Sequence, residues 1–284
     1  MTRPNSWDVE KQRRAMGLGA IVALWLSLAV SAIAWAASTT TPGLLRETDR
    51  ELLAKLGPGV IGKPITPPSE KEIAAAVIRP RSARYRMVAG PRAGQTVEVT
   101  TKAARELPDG NAVKKPTWII DIPHVMTQYV VMDELGLTAP ALLLRSAGLF
   151  SEYLPIEPLL IFGLGPGESK SYPAKATARH VSKPKKVAYR GEVTVTYRNL
   201  GAYEIKTPAG TFPGLVIRCD YVGKIGPAQI DLSDIRIYAP GEGLIALSGH
   251  DRFQAFLVFN EKIVNAFILE GTRIEDPVSS SVPG

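Results

Sequence analysis

The chain has 284 residues, of which 45% are apolar and 21% are charged, and it contains 25 glycines and 23 prolines. This composition predicts a packed core and so excludes a wholly disordered chain, and the many glycines and prolines favour turns and short strands over long helices. The formal net charge is +7, and the single cysteine excludes an intramolecular disulfide bond.

The N-terminal segment is predicted to direct export. Residues 1–15 form a cytoplasmic n-region that ends in Arg13, Arg14 and Ala15, and residues 16–37 are 22 residues without a charge. Such a run spans a bilayer as a helix, and the arginines before it place the N-terminus inside. Ala34-Trp35-Ala36 fits a signal-peptidase site, so residues 16–37 are either a cleaved signal peptide or a retained transmembrane anchor. Both alternatives place the rest of the chain on the periplasmic side of the inner membrane.

Residues 38–82 are predicted to hold two short helices and a proline-rich linker. Thr41-Pro42 is typical of a helix start, and leucines follow it at helical spacing. Residues 57–68 contain four prolines and are expected to be stiff. Ser69 and Glu72 form a capping-box pattern that starts the second helix.

Residues 83–274 are predicted to form an antiparallel β domain. Apolar residues alternate with polar ones from Val193 to Tyr197, and turn sequences separate roughly ten runs of this kind. We expect a mainly β fold, with a curved antiparallel sheet or half-barrel preceded by the N-terminal apolar helix and the two short helices; the pattern leaves closure of the sheet open. Residues 275–284 are polar and are expected to be a disordered tail.

One hairpin is specified in detail by its turn sequence, Pro208-Ala209-Gly210-Thr211. Proline fixes the φ angle that the first central position of a type I or II turn requires, and the following glycine accepts a positive φ. We expect Phe212 to cover one end of the core. Cys219 shares a strand face with Leu215 and Tyr221, so it is predicted to be a small core residue and not a reactive thiol.

Basic residues concentrate between Lys170 and Arg198, where eight of them stand against Glu192 alone. This pattern has two alternative explanations. The lysines either prevent solvated strand edges from pairing with other chains, or they form a patch that binds anionic lipid or cell-wall polymer. Nucleic acid is not expected as a partner because no stacking pattern accompanies the charges. The candidate contacts of an anionic patch are Lys175, Arg179, Lys183, Lys185 and Lys186.

No catalytic, cofactor or metal site is predicted. Ser248-Gly249-His250-Asp251 has the residues of a triad, yet neighbouring side chains on a strand point to opposite faces. Ser182-Lys183-Pro184-Lys185 matches a Ser-x-x-Lys pattern, but its proline opposes the helical turn that the pattern needs. The three histidines, His124, His180 and His250, are too scattered for a metal site. We therefore expect no enzymatic activity.

Several turn sequences resemble the TapB-like family of exported bacterial proteins of unknown function. The resemblance covers about residues 85–271, with Ile237 where tryptophan is usual and Glu242 where valine is usual. It implies an antiparallel sheet wrapped like the half-barrels of lipoprotein carriers, and it implies no established activity. The segments that carry it are Thr207-Pro208-Ala209-Gly210-Thr211-Phe212, Ile237-Tyr238-Ala239-Pro240-Gly241-Glu242-Gly243-Leu244-Ile245, Leu154-Pro155-Ile156-Glu157-Pro158-Leu159 and Gly165-Pro166-Gly167-Glu168-Ser169.

Two functions remain open on this basis. The first is a non-enzymatic exported envelope protein that binds lipid or another apolar ligand in the curved sheet, as the run Phe253 to Phe259, apolar on both faces, suggests. The second is a membrane-held assembly or interaction factor for other envelope proteins. The expected partners are the inner membrane, through residues 16–37 if they are retained, and a lipid or an envelope protein.

Overall fold

A computed structural model of the protein describes residues 45–106, 117–145, 148–255 and 259–274. The predicted export segment, residues 1–37, and the predicted tail, residues 275–284, lie outside the described residues. Within the described ranges, no helix combines the length and the apolar character that crossing a membrane requires.

The described residues form two helices and a single sheet of thirteen strands. All the strand pairs are antiparallel, and most join strands that follow each other in the chain. The helices are α1 (Glu47–Ala54) and α2 (Glu70–Val77), and the strands are β1 (Ile61–Pro64), β2 (Arg81–Ala89), β3 (Thr96–Ala103), β4 (Thr117–Ile122), β5 (Met126–Asp133), β6 (Gly136–Leu144), β7 (Leu149–Ile161), β8 (Ser169–His180), β9 (Val187–Thr207), β10 (Gly210–Ile225), β11 (Ala228–Ala239), β12 (Gly243–Ala255) and β13 (Phe259–Ile274).

The sheet closes into a barrel of twelve strands, so the expected half-barrel is wrong, whereas the mainly β, antiparallel fold is confirmed. Closure depends on β9, which has 21 residues. One edge of β9 pairs with β10, and the other edge pairs with β8 from Val187 to Arg198. Farther along that second edge, β9 pairs with β1 at Tyr203 and Ile205. A strand of this length supplies the partner that a half-barrel lacks, and closure removes the free sheet edges.

Alternate side chains of the barrel strands form an interior core, which α2 closes at one end. Ile73, Ala74 and Val77 of α2 pack into this core. The helix begins where the capping-box pattern predicts, since the Ser69 hydroxyl accepts a hydrogen bond from the Glu72 N–H at 3.4 Å. Cys219 is fully buried in the same core, which confirms its prediction as a core residue.

Helix α1 covers the outer face of the barrel wall. Leu52, Leu53 and Leu56 pack with strand residues in a second apolar cluster outside the barrel. The carboxylate of Asp49 is fully buried and binds Arg198 of β9 at 2.7 Å and Arg218 of β10 at 2.9 Å. The helix is therefore held to the wall by apolar contact and by a buried ion pair.

The segment predicted to be a proline-rich linker contains strand β1. Val60 and Ile61 pack into the apolar cluster under α1, which explains why the chain runs along β9 here. The Pro208–Ala209 turn is confirmed, because Thr207 pairs with Gly210 and the φ of Gly210 is +145°.

Candidate functional site

The five candidate contacts of an anionic patch all lie on one hairpin, formed by β8, the turn at residues 181–186 and β9. Alternation along β8 sends Ala174, Ala176 and Ala178 into the buried interior, so Lys175 and Arg179 face outward. The remaining three, Lys183, Lys185 and Lys186, are exposed in the turn.

Charge on this hairpin is balanced along the strands and unbalanced in the turn. Arg179 forms an ion pair with Glu152 of β7. Lys175 stands directly across from Glu192 of β9 in the strand register. Residues 181–186 contain three lysines and no acidic residue. The strands therefore resemble an ordinary solvated sheet surface, and the turn carries the excess positive charge.

The barrel interior contains two small cavities, of about 40 and about 60 Å³. Both are lined by Tyr85, Val99, Ile122 and Phe267. Sites that bind drug-sized ligands usually measure about 300–1,000 Å³, whereas cavities of the size found here hold a few water molecules. Neither of these two cavities, as the described residues line them, is large enough for a drug-sized ligand, and core side chains pack around both.

A polar network crosses that interior. Arg236 binds Asp234 through two hydrogen bonds of 2.9 and 3.0 Å, and it also donates to the hydroxyl of Tyr221. Tyr221 in turn donates to Glu157 of β7 at 2.6 Å. Burial raises the pKa of the Glu157 carboxyl, and the charge of Arg236 and the hydrogen bond from Tyr221 only partly offset that effect.

The polar network forms where β7 separates from β8. This strand pairs with β8 only from Leu149 to Leu154, so its second half has no partner on that side. Tyr197 donates a hydrogen bond to the carbonyl of Pro158, and Tyr238 donates to that of Leu159 at 3.3 Å. Interior tyrosines thus satisfy backbone acceptors that β8 leaves free.

A groove of about 710 Å³ lies on the outer wall between β7, β8 and β9, and it is far larger than either interior cavity. Leu154 contributes an apolar side chain that is 73% exposed. Lys175 and Arg190 contribute positive charge, and Glu152 and Glu192 contribute negative charge. Pro140, Tyr153 and Ala176 add further apolar surface, so the groove combines apolar contacts with charges of both signs.

The groove arises from a break in strand register. Ala141 of β6 pairs with Glu152, whereas Ala139 pairs with Glu157, so several residues of β7 stand opposite Pro140 alone. This bulge places the side chain of Leu154 on the outer surface of the barrel. Gly191, which also lines the groove, must lack a side chain, because a Cβ atom there would lie 1.9 Å from the carbonyl oxygen of Lys224 on β10.

The other residues considered for chemistry lie apart from the groove. The hydroxyl of Ser248 donates to the carbonyl of Leu52 at 2.6 Å, so this buried serine holds α1. Ser182 lies in the exposed turn after β8, and His124 lies in the turn between β4 and β5. Among the described residues, no group of three or more histidine, cysteine or acidic side chains could hold a metal ion.

Sequence reasoning found Lys175 but missed the rest of the groove. Glu152, Leu154 and Glu192 become neighbours only through strand pairing, and the bulge depends on the register between two strands. The local signal was Leu154 itself, an apolar residue directly before a proline in a strand-like run.

Comparison with known proteins yields no family assignment. No family model matches the sequence, and no curated protein matches it. Two solved structures show a distant likeness at 11% identity and a TM-score of 0.31. One is a candidate lipoprotein from Parabacteroides distasonis ATCC 8503, and the aligned region covers 75% of the present chain and 99% of the lipoprotein chain. The other is a candidate exported protein with a YmcC-like fold from Bacteroides fragilis NCTC 9343, and the aligned region covers 74% of the present chain and 99% of the exported protein. A likeness at this level carries no conclusion about function.

Proposed function

We propose that the protein is a non-enzymatic, exported envelope protein that binds a partner protein on the outer wall of β7–β9. The observation that carries this proposal is the contrast in volume between the groove, about 710 Å³, and the interior cavities, about 40 and 60 Å³. Binding of a lipid or apolar ligand inside the barrel has less support, because the interior is occupied by core side chains and the Arg236 network.

The chemistry of the groove favours a polypeptide as its occupant. Leu154 offers an apolar anchor point, while Lys175, Arg190, Glu152 and Glu192 carry charges of both signs, of which Glu152 is already paired with Arg179. Protein surfaces present apolar and charged side chains side by side, whereas an acyl chain gains nothing from four flanking charges.

Export remains part of the proposal. It depends on residues 1–37, whose composition is that of a signal peptide or membrane anchor, and the resemblance of several turn sequences to those of TapB-like exported proteins agrees with it. A reporter enzyme that is active only outside the cytoplasm, fused after Gly284, should be active. Activity of a reporter that requires the cytoplasm would contradict export.

Photo-crosslinking in the native envelope tests the binding site. We replace Leu154 with a photo-reactive amino acid in the full-length chain and place the same residue at Arg84 in a control. Arg84 is exposed on β2, which lies six strands from β8 around the barrel in either direction. We expect a discrete protein adduct from position 154 and none from position 84. Equal adduct patterns at both positions, or lipid adducts alone, would refute the proposal.

A further inference from the structure

The turns of the barrel alternate between its two ends, because consecutive strands run in opposite directions. The end away from α2 comprises residues 90–95, 123–125, 181–186 and 226–227, together with Arg145 after β6. We call this set the basic end. These segments are far apart in sequence, and only the topology brings them to the same side of the molecule.

The two ends differ in charge. The basic end contains five arginine and lysine residues and no acidic residue: Arg92, Arg145, Lys183, Lys185 and Lys186. The residues that join β12 to β13, 256–258, are uncharged in the sequence. At the opposite end, the sequences of the connections 104–116, 134–135, 162–168, 208–209 and 240–242 contain five acidic and three basic residues.

An acidic side chain of the barrel wall, Asp121, lies beside the basic end. Asp121, near the end of β4, binds Arg145 at 2.7 Å and also accepts a hydrogen bond from Thr127 at 2.6 Å. This pair neutralises Arg145. Arg92 and the three turn lysines then remain as the positive charges of the end.

Exposed apolar side chains accompany these lysines. Val181 and Tyr189 are 42% and 38% exposed at the two sides of the β8–β9 turn. The Tyr189 ring is held in place, with its centre 6.4 Å from that of His180 and its atoms next to Gly226. Lysines that surround an exposed aromatic and an aliphatic side chain form the pattern of a protein surface that rests on lipid headgroups.

We propose that the basic end docks on an anionic phospholipid surface. This inference rests on the proposed export and is independent of the groove. Charge complementarity carries it, since each lysine near an anionic bilayer strengthens association by about fivefold. Three turn lysines together contribute roughly a hundredfold.

The length of the preceding chain agrees with this placement. Arg218, which binds Asp49 of α1, lies seven residues before the end of β10 at Ile225, about 23 Å along the strand. Residues 38–44, between the predicted apolar segment and the described chain, span up to about 25 Å when extended. A retained anchor therefore leaves the basic end within reach of the bilayer.

Fluorescence quenching in nanodiscs tests the docking with the full-length chain. An environment-sensitive dye is attached at Ser182→Cys in a Cys219→Ala background, and a matched sample carries it at Ala209→Cys in the turn at the opposite end. Discs contain phosphatidylcholine alone or mixed with phosphatidylglycerol, and nitroxide-labelled acyl chains serve as the quencher.

We expect strong quenching at position 182 in anionic discs, several-fold weaker quenching in neutral discs, and weak quenching at position 209 in both. The triple variant Lys183→Gln, Lys185→Gln, Lys186→Gln, whose side chains are all exposed, should keep its melting temperature and lose the difference between the discs.

Equal quenching at 182 and 209, or quenching that ignores the anionic lipid, would overturn the proposal. So would a dye at 182 that responds to a soluble anionic polysaccharide and not to the discs, which would assign the basic end to a cell-wall polymer. The crosslinking test at Leu154 examines a different surface from the quenching test. A negative result in one test therefore does not affect the interpretation of the other.

Discussion

Replacement of Asp49 with alanine should release α1 from the barrel wall. The Asp49 carboxylate is fully buried and accepts hydrogen bonds from Arg198 at 2.7 Å and from Arg218 at 2.9 Å. It also accepts a bond of 2.8 Å from the backbone N–H of Arg46 at the start of the helix. One substitution therefore removes an ion-pair partner from two arginines and a hydrogen-bond acceptor from the helix terminus.

The size of the effect follows from burial. Removal of one partner from a fully buried ion pair costs about 3–5 kcal/mol. The side chains of Arg198 and Arg218 are each 11% exposed, which lets water reach them and lowers the expected loss to about 3 kcal/mol. Leu52 and Leu53 still bury their side chains, so the helix stays docked most of the time but opens roughly a hundred times more often.

Hydrogen exchange measured peptide by peptide is the appropriate assay. Amides of α1 in Asp49→Ala should exchange about a hundredfold faster than in the wild type, while those of β10 and β11 change little. Glu51→Ala is the matched control, since Glu51 lies exposed on the same helix and should shift stability by less than about 0.5 kcal/mol. Equal exchange in α1 for the two variants would refute the assignment of Asp49 as the anchor.

Three further predictions concern the core and the hairpin. Burial raises the pKa of the Cys219 thiol, so a thiol reagent should label the native protein slowly and the denatured protein fully, and rapid labelling of the native protein would contradict this. Cys219→Asp should lower the free energy of unfolding by a few kcal/mol, and Cys219→Ala should lower it much less. Gly210→Val should lower stability by about 1–3 kcal/mol in denaturant unfolding because its φ is +145°, whereas Ala209→Ser should be nearly neutral; equal midpoints would argue against the strain. The pKa of Glu157 is higher in the folded chain than in the unfolded chain. The protonated carboxyl therefore stabilises the fold fully at pH values below the unfolded pKa, and this stabilisation is lost as pH rises through the folded pKa. Glu157→Gln, which keeps an acceptor for Tyr221, should therefore lose less stability than the wild type as pH rises above about 4, and parallel pH profiles would count against it.

Local features of this fold are predictable because their causes are local. Ser69 and Glu72 start a helix through a cap that involves neighbouring residues, and Pro208 with Gly210 makes a turn through backbone preference alone. The period-two runs likewise predict strands. Each of these signals lies within a few residues of the element that it specifies.

Closure of the barrel and the groove are not predictable in this way. Closure requires that β9 pair with β8 as well as β10, and a strand sequence does not show how many partners it will have. The groove requires a bulge in β7 opposite Pro140, which depends on the register of two strands. In the same way, Arg92 and Lys183 share one end of the barrel only because of the strand order.

The interior network shows why a closed barrel does not imply a binding cavity. Where β7 separates from β8, tyrosines from β9 and β11 cross the interior to satisfy its carbonyls, and Arg236 with Asp234 fills the space beside them. A variant that empties this space, such as Tyr197→Ala, should unfold at a lower denaturant concentration than the wild type, because it leaves a cavity and removes the donor to the carbonyl of Pro158.

Native mass spectrometry of the full-length protein, released from its own envelope, tests the central claim most directly. We expect the chain to carry a protein partner that is lost in the variant Leu154→Asp and retained in Met132→Asp, whose residue is 46% exposed on β5. A partner that is lost equally in both variants, or a chain that carries lipid and no protein partner, would contradict the claim.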